Sequence, residues 1–168
     1  MLELKGYITN LGKYNEGELV GEYITFPIDE DELEEVFNRI GINEEYEEFF
    51  FTDWECSVNL NLGEYVSIND VNELAEKLEN WDEECLESVL ELWNLNYALE
   101  HGQDAFNFMN DIETDYDLGY YWLVESGCYD LKHLGILENY IDFESFGRDV
   151  RFESDGGFTS NGWVEYVG

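Results

Sequence analysis

Four carboxylates at two-residue spacing, Asp111, Glu113, Asp115 and Asp117, are the first residues whose pattern suggests chemistry. Alternating acids of this kind open a calcium-binding EF-hand loop, which also needs Gly at its sixth position and Glu at its twelfth. Those positions hold Tyr116 and Trp122, so the run reads as a solvated acidic face. His101 and His133 stand outside any metal-ligand spacing, and no Ser or Cys beside them carries a nucleophile motif. Gly156 and Gly157 lack the pattern of a phosphate-binding loop, and no Lys follows them. Paired carboxylates for glycoside hydrolysis are inevitable among 41 acids, and that abundance removes their diagnostic value. No catalytic residue, metal ligand or cofactor is nominated, and a non-enzymatic protein is expected.

The acids are too many for any one site. Asp and Glu number 41 against 7 Lys and Arg, a formal net charge of −34 in 168 residues. Like charge at this density repels itself and destabilises the compact state. Disorder would tolerate it, but disordered acidic chains are poor in aromatic and β-branched residues. This chain is 44% hydrophobic and 17% aromatic, with 5 Trp, 12 Tyr and 11 Phe, enough for a core. Adaptation to high salt would account for the surface charge and for nothing else. Segments bounded near residues 60 and 103 carry nets of −13, −10 and −11. Since no tail holds the charge, a folded surface negative along its whole length is expected. A DNA duplex carries about one charge per 1.7 Å of axis, so 34 charges at that pitch cover about 58 Å. A globule of this length is roughly 40 Å across. The charge suffices to imitate more than a turn of duplex, particularly in an elongated chain. Direct nucleic-acid binding is not expected, because phosphate contacts need Lys and Arg.

The elements that must present these charges follow from periodicity and punctuation. Gly6–Asn10 and Glu18–Phe26 read as strands, with a loop at Gly12, Asn15 and Gly17 between them. Pro27 ends the second strand. Asp29 opens a helix through Ile40, with Leu33, Val36, Phe37 and Ile40 on one stripe and Gly41 as its C-cap. Tyr46–Trp54 reads as a third strand. The next segment is helical: Ser67 caps a stripe of Ile68, Val71, Leu74, Ala75 and Leu78, and Asp82 caps one of Cys85, Leu86, Val89, Leu90 and Trp93. A short helix ends near Gly102. The last segment mixes a strand at Ala105–Met109, a helix at Asp115–Ser126 stopped by Gly127, and two helical turns within Leu137–Val150. Arg151–Glu153 and Trp163–Val167 then bracket a Gly-rich turn as a hairpin. The fold class expected is α+β, a chain of three small domains at 1–60 (α+β), 61–103 (helical) and 104–168 (α+β). Cys56, Cys85 and Cys128 are odd in number and widely spaced, which favours a reduced compartment. Met1–Asn10 shows no signal-peptide pattern, and no apolar run approaches the roughly 18 residues needed to span a membrane.

Two stretches carry a resemblance. Tyr7–Gly21, YITNLGKYNEGELVG, is followed by Thr25, Phe26 and Pro27. Leu137–Asp149, LENYIDFESFGRD, contains Tyr140, Ile141, Asp142, Gly147, Arg148 and Asp149. The chain resembles the ArdA family of antirestriction proteins, and the second stretch is similar to the family's antirestriction signature. The resemblance spans nearly the whole length. It implies a bacterial, cytoplasmic DNA mimic encoded on mobile elements such as conjugative plasmids and transposons. The implied partner is a Type I restriction–modification enzyme, its specificity and modification subunits, whose DNA-binding groove the mimic occupies. It also implies an elongated three-domain α+β chain that forms a homodimer through its C-terminal part.

On that reading the phosphate mimics are Asp29, Glu30, Asp31, Glu32, Glu34 and Glu35; Glu44, Glu45, Glu47 and Glu48; Asp70, Glu73, Glu76, Asp82, Glu83, Glu84 and Glu87; and Asp111, Glu113, Asp115 and Asp117. Each competes with the plainer reading of a solvated acid. In the signature, Leu137, Tyr140, Ile141, Phe143 and Phe146 are too apolar to imitate phosphate and are expected in the core or at the dimer interface. Gly147 is read as freeing a backbone turn, and Arg148 is expected to pair with Asp142 or Asp149. An acidic, non-enzymatic partner of another basic DNA-binding protein, such as a histone-like one, stays open beside this reading.

Overall fold

The computed structural model describes residues 2–131 and 133–168, which form mixed α and β structure in two compact units, Met1–Glu83 and Glu84–Gly168. No helix among the described residues is long and apolar enough to cross a membrane.

In the first unit, β1 (Leu4–Asn10) lies between β2 (Gly21–Phe26) and β3 (Phe49–Glu55), antiparallel to both. Alternation along the strands gives the sheet two faces. Leu4, Ile8, Ile24, Phe26 and Phe51 are buried on the inner one. Helices α2 (Glu30–Ile40) and α3 (Ile68–Leu78) turn Val36, Ile40, Val71, Ala75 and Leu78 inward. Asn10, fully buried at the end of β1, ties the sheet to α2 by donating from Nδ2 to the carbonyls of Ile40 and Gly41, both at 3.1 Å. The outer face carries Tyr7, Thr9, Tyr23, Phe50 and Asp53, in register across the three strands.

In the second unit, β6 (Gly162–Tyr166) lies between β4 (Phe106–Met109) and β5 (Gly156–Thr159), again antiparallel. Here both faces are covered. On one, α4 (Glu83–Leu92) and α5 (Leu95–His101) meet the sheet: Ser88 Oγ accepts from Thr159 Oγ1 at 2.9 Å, and Phe106 packs on Trp93 with centroids 5.3 Å apart. On the other, Trp163 is fully buried with Ile112 and Leu118, and Met109, Trp122, Val150 and Phe158 close around them. Of these, Leu118 comes from α6 (Asp115–Tyr120), Val150 from α7 (Phe143–Glu153) and Trp122 from the π-turn Tyr121–Glu125.

Several expectations about local structure are corrected. The Gly12–Asn15 loop holds a short helix, α1 (Leu11–Asn15), because the Asn10 side chain caps it by accepting from Lys13 N at 3.0 Å. Glu18–Val20 lies outside β2, which starts at Gly21. Ser67 precedes α3 without a side-chain capping bond. The helix expected at 115–126 widens into the π-turn after Tyr120, placing Leu118 and Leu123 five residues apart and both buried. Arg151–Glu153 is no strand: Asp142 caps a helix of 11 residues that runs through Glu153, and the hairpin's first strand is Gly156–Thr159, within the stretch read as a turn. The helical segment 61–103 is shared, α3 falling in the first unit and α5 in the second.

Candidate functional site

The acids occupy the surface almost without exception. Glu22, Glu87, Asp115 and Asp117 are half-buried, Glu165 is buried, and every other acid is exposed. Ionised carboxylates resist transfer out of water unless paired, and the five exceptions follow that rule. Glu165 accepts from Asn107 Nδ2 at 2.9 Å. Glu22 takes a two-pronged contact from Arg39, with NH2–Oε1 at 2.6 Å. Glu87 accepts from Asn161 Nδ2 at 3.0 Å. Asp115 accepts from Arg151 Nε at 2.7 Å and NH2 at 3.0 Å. Asp117 accepts from Thr114 N and Oγ1 at 3.0 and 2.6 Å, forming a capping box at the start of α6.

Helix α2 is the densest acidic element. Asp29 caps it, accepting from Glu32 N at 2.8 Å, and Glu30, Asp31 and Glu32 fill its first turn, where the helix dipole favours negative charge. Its apolar stripe faces the sheet, so Glu30, Asp31, Glu32, Glu34 and Glu35 face solvent. The helix ends on Gly41 at φ 78°, the left-handed conformation a glycine cap supplies. Glu44, Glu45, Glu47 and Glu48 are exposed on the loop into β3, and Asp70, Glu73 and Glu76 along α3. Asp82, Glu83 and Glu84 are exposed at the start of α4. The run from Asp111 to Asp117 divides: Asp111 and Glu113 are exposed, whereas Asp115 ties α6 to α7 through Arg151 and Asp117 closes the capping box of α6. Alternating spacing alone does not separate these roles.

Among the described basic residues, Lys5, Lys13, Arg39 and Arg151 are engaged with carboxylates. Lys5 pairs with Glu3 at 2.7 Å, Lys13 lies 3.9 Å from Glu18, and Arg39 also reaches Glu35 at 3.7 Å. Hydrogen bonds from Arg151, with its positive charge, hold the Asp115 carboxyl below its ordinary value of 3.8 against the opposing effect of burial. Asp142 is also lowered, first by the backbone N–H and then by the hydroxyl of Ser145. Asp53 accepts from Tyr23 Oη at 2.6 Å, and that bond pushes the phenol up to about 12.

The Leu137–Asp149 stretch separates into a structural part and an exposed part. Asp142 caps α7. Phe143 is buried, edge-on to Tyr116 and Tyr120 at 5.6 and 5.3 Å. Phe146 is half-buried against Tyr129 at 5.9 Å, and Ile141 is half-buried. Gly147 frees no turn, contrary to expectation. It lies within α7, where α7 crosses α6 so closely that a Cβ would collide with the Asp115 carbonyl and lie 2.6 Å from Gly119 N. Gly119 is the reciprocal case: a Cβ there would strike the Phe143 carbonyl. The sequence hint was two glycines, each in a helical pattern, which conventional reading treats as weak helix positions. Arg148 donates to Ser145 Oγ at 3.5 Å and its charge helps to lower Asp142, while Arg151 of the same helix forms an ion pair with Asp115. Leu137, Tyr140, Arg148 and Asp149 are exposed.

A model of the ArdA antirestriction protein family matches residues 6–165, nearly the whole chain. A search of curated proteins returned no match. The chain belongs to the ArdA family of antirestriction proteins.

Proposed function

From that membership and the exposed acids, we propose that this antirestriction protein acts by imitating duplex DNA and occupying the DNA-binding groove of Type I restriction–modification enzymes. The observation that carries the reading is the exposure of nearly all the acids, with all but three of the nominated mimics open to solvent. A groove that binds phosphates presents Lys and Arg, and carboxylates meet these with charge-assisted hydrogen bonds. The field of −34 charges speeds encounter with such a groove and makes it salt-dependent. The mimic offers no base edges, so enzymes of different recognition sequence are inhibited alike. Its setting is the bacterial cytoplasm, where these enzymes act.

Two copies pair through the C-terminal part. Ile136, Leu137 and Tyr140, on the single turn Gly135–Tyr140, support this at 75, 59 and 80% exposed, since apolar side chains left bare together mark an interaction site. Sedimentation of the chain at micromolar concentration checks it; a monomer overturns the dimer and leaves the mimicry standing.

The mimicry is tested by competition. A purified Type I modification enzyme is bound to labelled duplex, and this protein is added at two salt concentrations. Stoichiometric displacement, weaker at higher salt and repeated with an enzyme of different recognition sequence, is expected. No displacement by excess folded protein overturns the reading, and displacement confined to one recognition sequence means a specific epitope instead.

A further inference from the structure

The two sheets differ in what covers them. The second has helices on both faces, whereas the outer face of the first is roofed by its own aromatic side chains. Phe50 is buried there between Tyr14, edge-on at 5.1 Å, and Tyr65, stacked at 5.9 Å with an interplanar angle of 21°. Tyr7 lies edge-on to Tyr23 at 4.9 Å. Tyr14, Tyr23 and Tyr65 are 49, 42 and 72% exposed. Asp53 shares the face, bonded to the Tyr23 hydroxyl at 2.6 Å. Lys5, on the same strand face, is already paired with Glu3.

Elsewhere the chain shows how it receives its own cations. Lys13 Nζ lies 5.7 Å from the centroid of the Tyr46 ring and 3.9 Å from Glu18. Arg151 lies 4.7 Å over the Phe152 ring and bonds Asp115. In both, a cation meets a π-face together with a carboxylate, which combines quadrupole attraction with a charge-assisted contact. The outer face offers the same two components, and among the described residues no cation lies over the Tyr14, Tyr23 or Tyr65 ring. Charge selects the occupant: a chain of −34 repels acidic surfaces and nucleic acid and attracts cationic ones.

We propose that the outer face of the first sheet, where Tyr14, Tyr23, Tyr65 and Asp53 are exposed over the buried Phe50, is a contact surface for arginine and lysine side chains of a basic protein. The proposal rests on the reading that the partner presents a basic groove, and adds that rings as well as carboxylates engage it. A guanidinium stacked on a ring also buries apolar area, a contribution that salt does not screen.

The test compares wild type with Tyr14→Leu/Tyr65→Leu and with Tyr14→Phe/Tyr65→Phe; both positions are exposed, and circular dichroism confirms folding. Leu keeps apolar bulk without the ring, and Phe keeps the ring without the hydroxyl. Each protein is titrated with hexa-arginine peptide, followed by NMR of the aromatic rings, and then with a Type I modification enzyme. The expected result is that the Tyr14 and Tyr65 rings shift on peptide addition. The Leu pair should weaken binding about two- to fivefold per ring, and the Phe pair should bind like wild type. Equal affinity of the Leu pair and wild type for the peptide, or shifts that spare these rings, overturns the proposal. Failure of wild type to bind the enzyme while the ring-dependent peptide binding persists overturns the groove reading alone.

Discussion

Helices α2 and α7 are built alike and do opposite things. Each has 11 residues, begins behind an Asp whose carboxylate accepts from the backbone N–H three residues on, and carries an Arg in its last turn. In α2 the apolar stripe and Arg39, which bonds Glu22, meet the protein, and the five acids of its first two turns face water. In α7 the crossing with α6 consumes the helix: Gly147 touches backbone, Phe143 is buried between rings, and Arg151 grips Asp115. One helix delivers charge and the other positions structure. Acidic composition therefore says little about what an individual acid does; its neighbours decide.

The sharpest way to break this comparison is Gly147→Ala. The new methyl has only backbone to displace, at the Asp115 carbonyl and Gly119 N. Such overpacking should cost about 1–3 kcal/mol or more. Circular dichroism and hydrogen exchange should show protection lost from the second unit and kept in the first. A fully folded variant with wild-type melting would mean the helix crossing is looser than described.

Next comes α2 itself. Changing Glu30, Asp31, Glu32, Glu34 and Glu35 to their amides, with Asp29 left as the cap, should change stability by less than about 0.5 kcal/mol per substitution. Binding to a Type I modification enzyme should fall about tenfold at low salt, since exposed pairs contribute only about 0.2–1 kcal/mol each. The loss should shrink as salt rises. If binding were unchanged, α2 would be solvated surface and nothing more.

The smallest effect separates Asp115 from the exposed acids. Its carboxyl is lowered in the folded chain, so its contribution is complete above the unfolded value and is lost as pH falls through the folded one. Asp115→Asn should therefore cost about 1 kcal/mol at neutral pH. The gap from wild type should close in urea melts as pH falls below the ordinary carboxylate range of roughly 4. Asp111→Asn, at an exposed position of the same run, should show no such gap.

Much of the first unit could be read directly. The stripe Val36 and Ile40, the cap at Asp29 and the stop at Gly41 appear where periodicity and punctuation place them. The second unit was harder because its elements are set by contacts distant in sequence. Arg151–Glu153 has an apolar residue and β-compatible spacing, yet α7 continues through it because Arg151 finds Asp115, 36 positions earlier. Tyr121 and Trp122 were placed on a regular helix, but the turn widens where Leu123 is drawn into the core.

By itself the sequence determined the protein's charge, its capacity for a core, its family resemblance and which faces of the strongly periodic helices turn inward. These are sums over residues or local repeats, and they need no knowledge of distant neighbours. Only the tertiary structure decided that Asp115 grips Arg151 and Asp117 closes a capping box while Asp111 and Glu113 are exposed, that Gly147 serves a helix crossing, and that Tyr14 and Tyr65 flank Phe50 on the outer sheet face. A carboxylate's role depends on whether a donor lies within about 3 Å, and a glycine's on what its missing Cβ would strike. Both are distances between residues far apart in the chain, fixed when the chain folds.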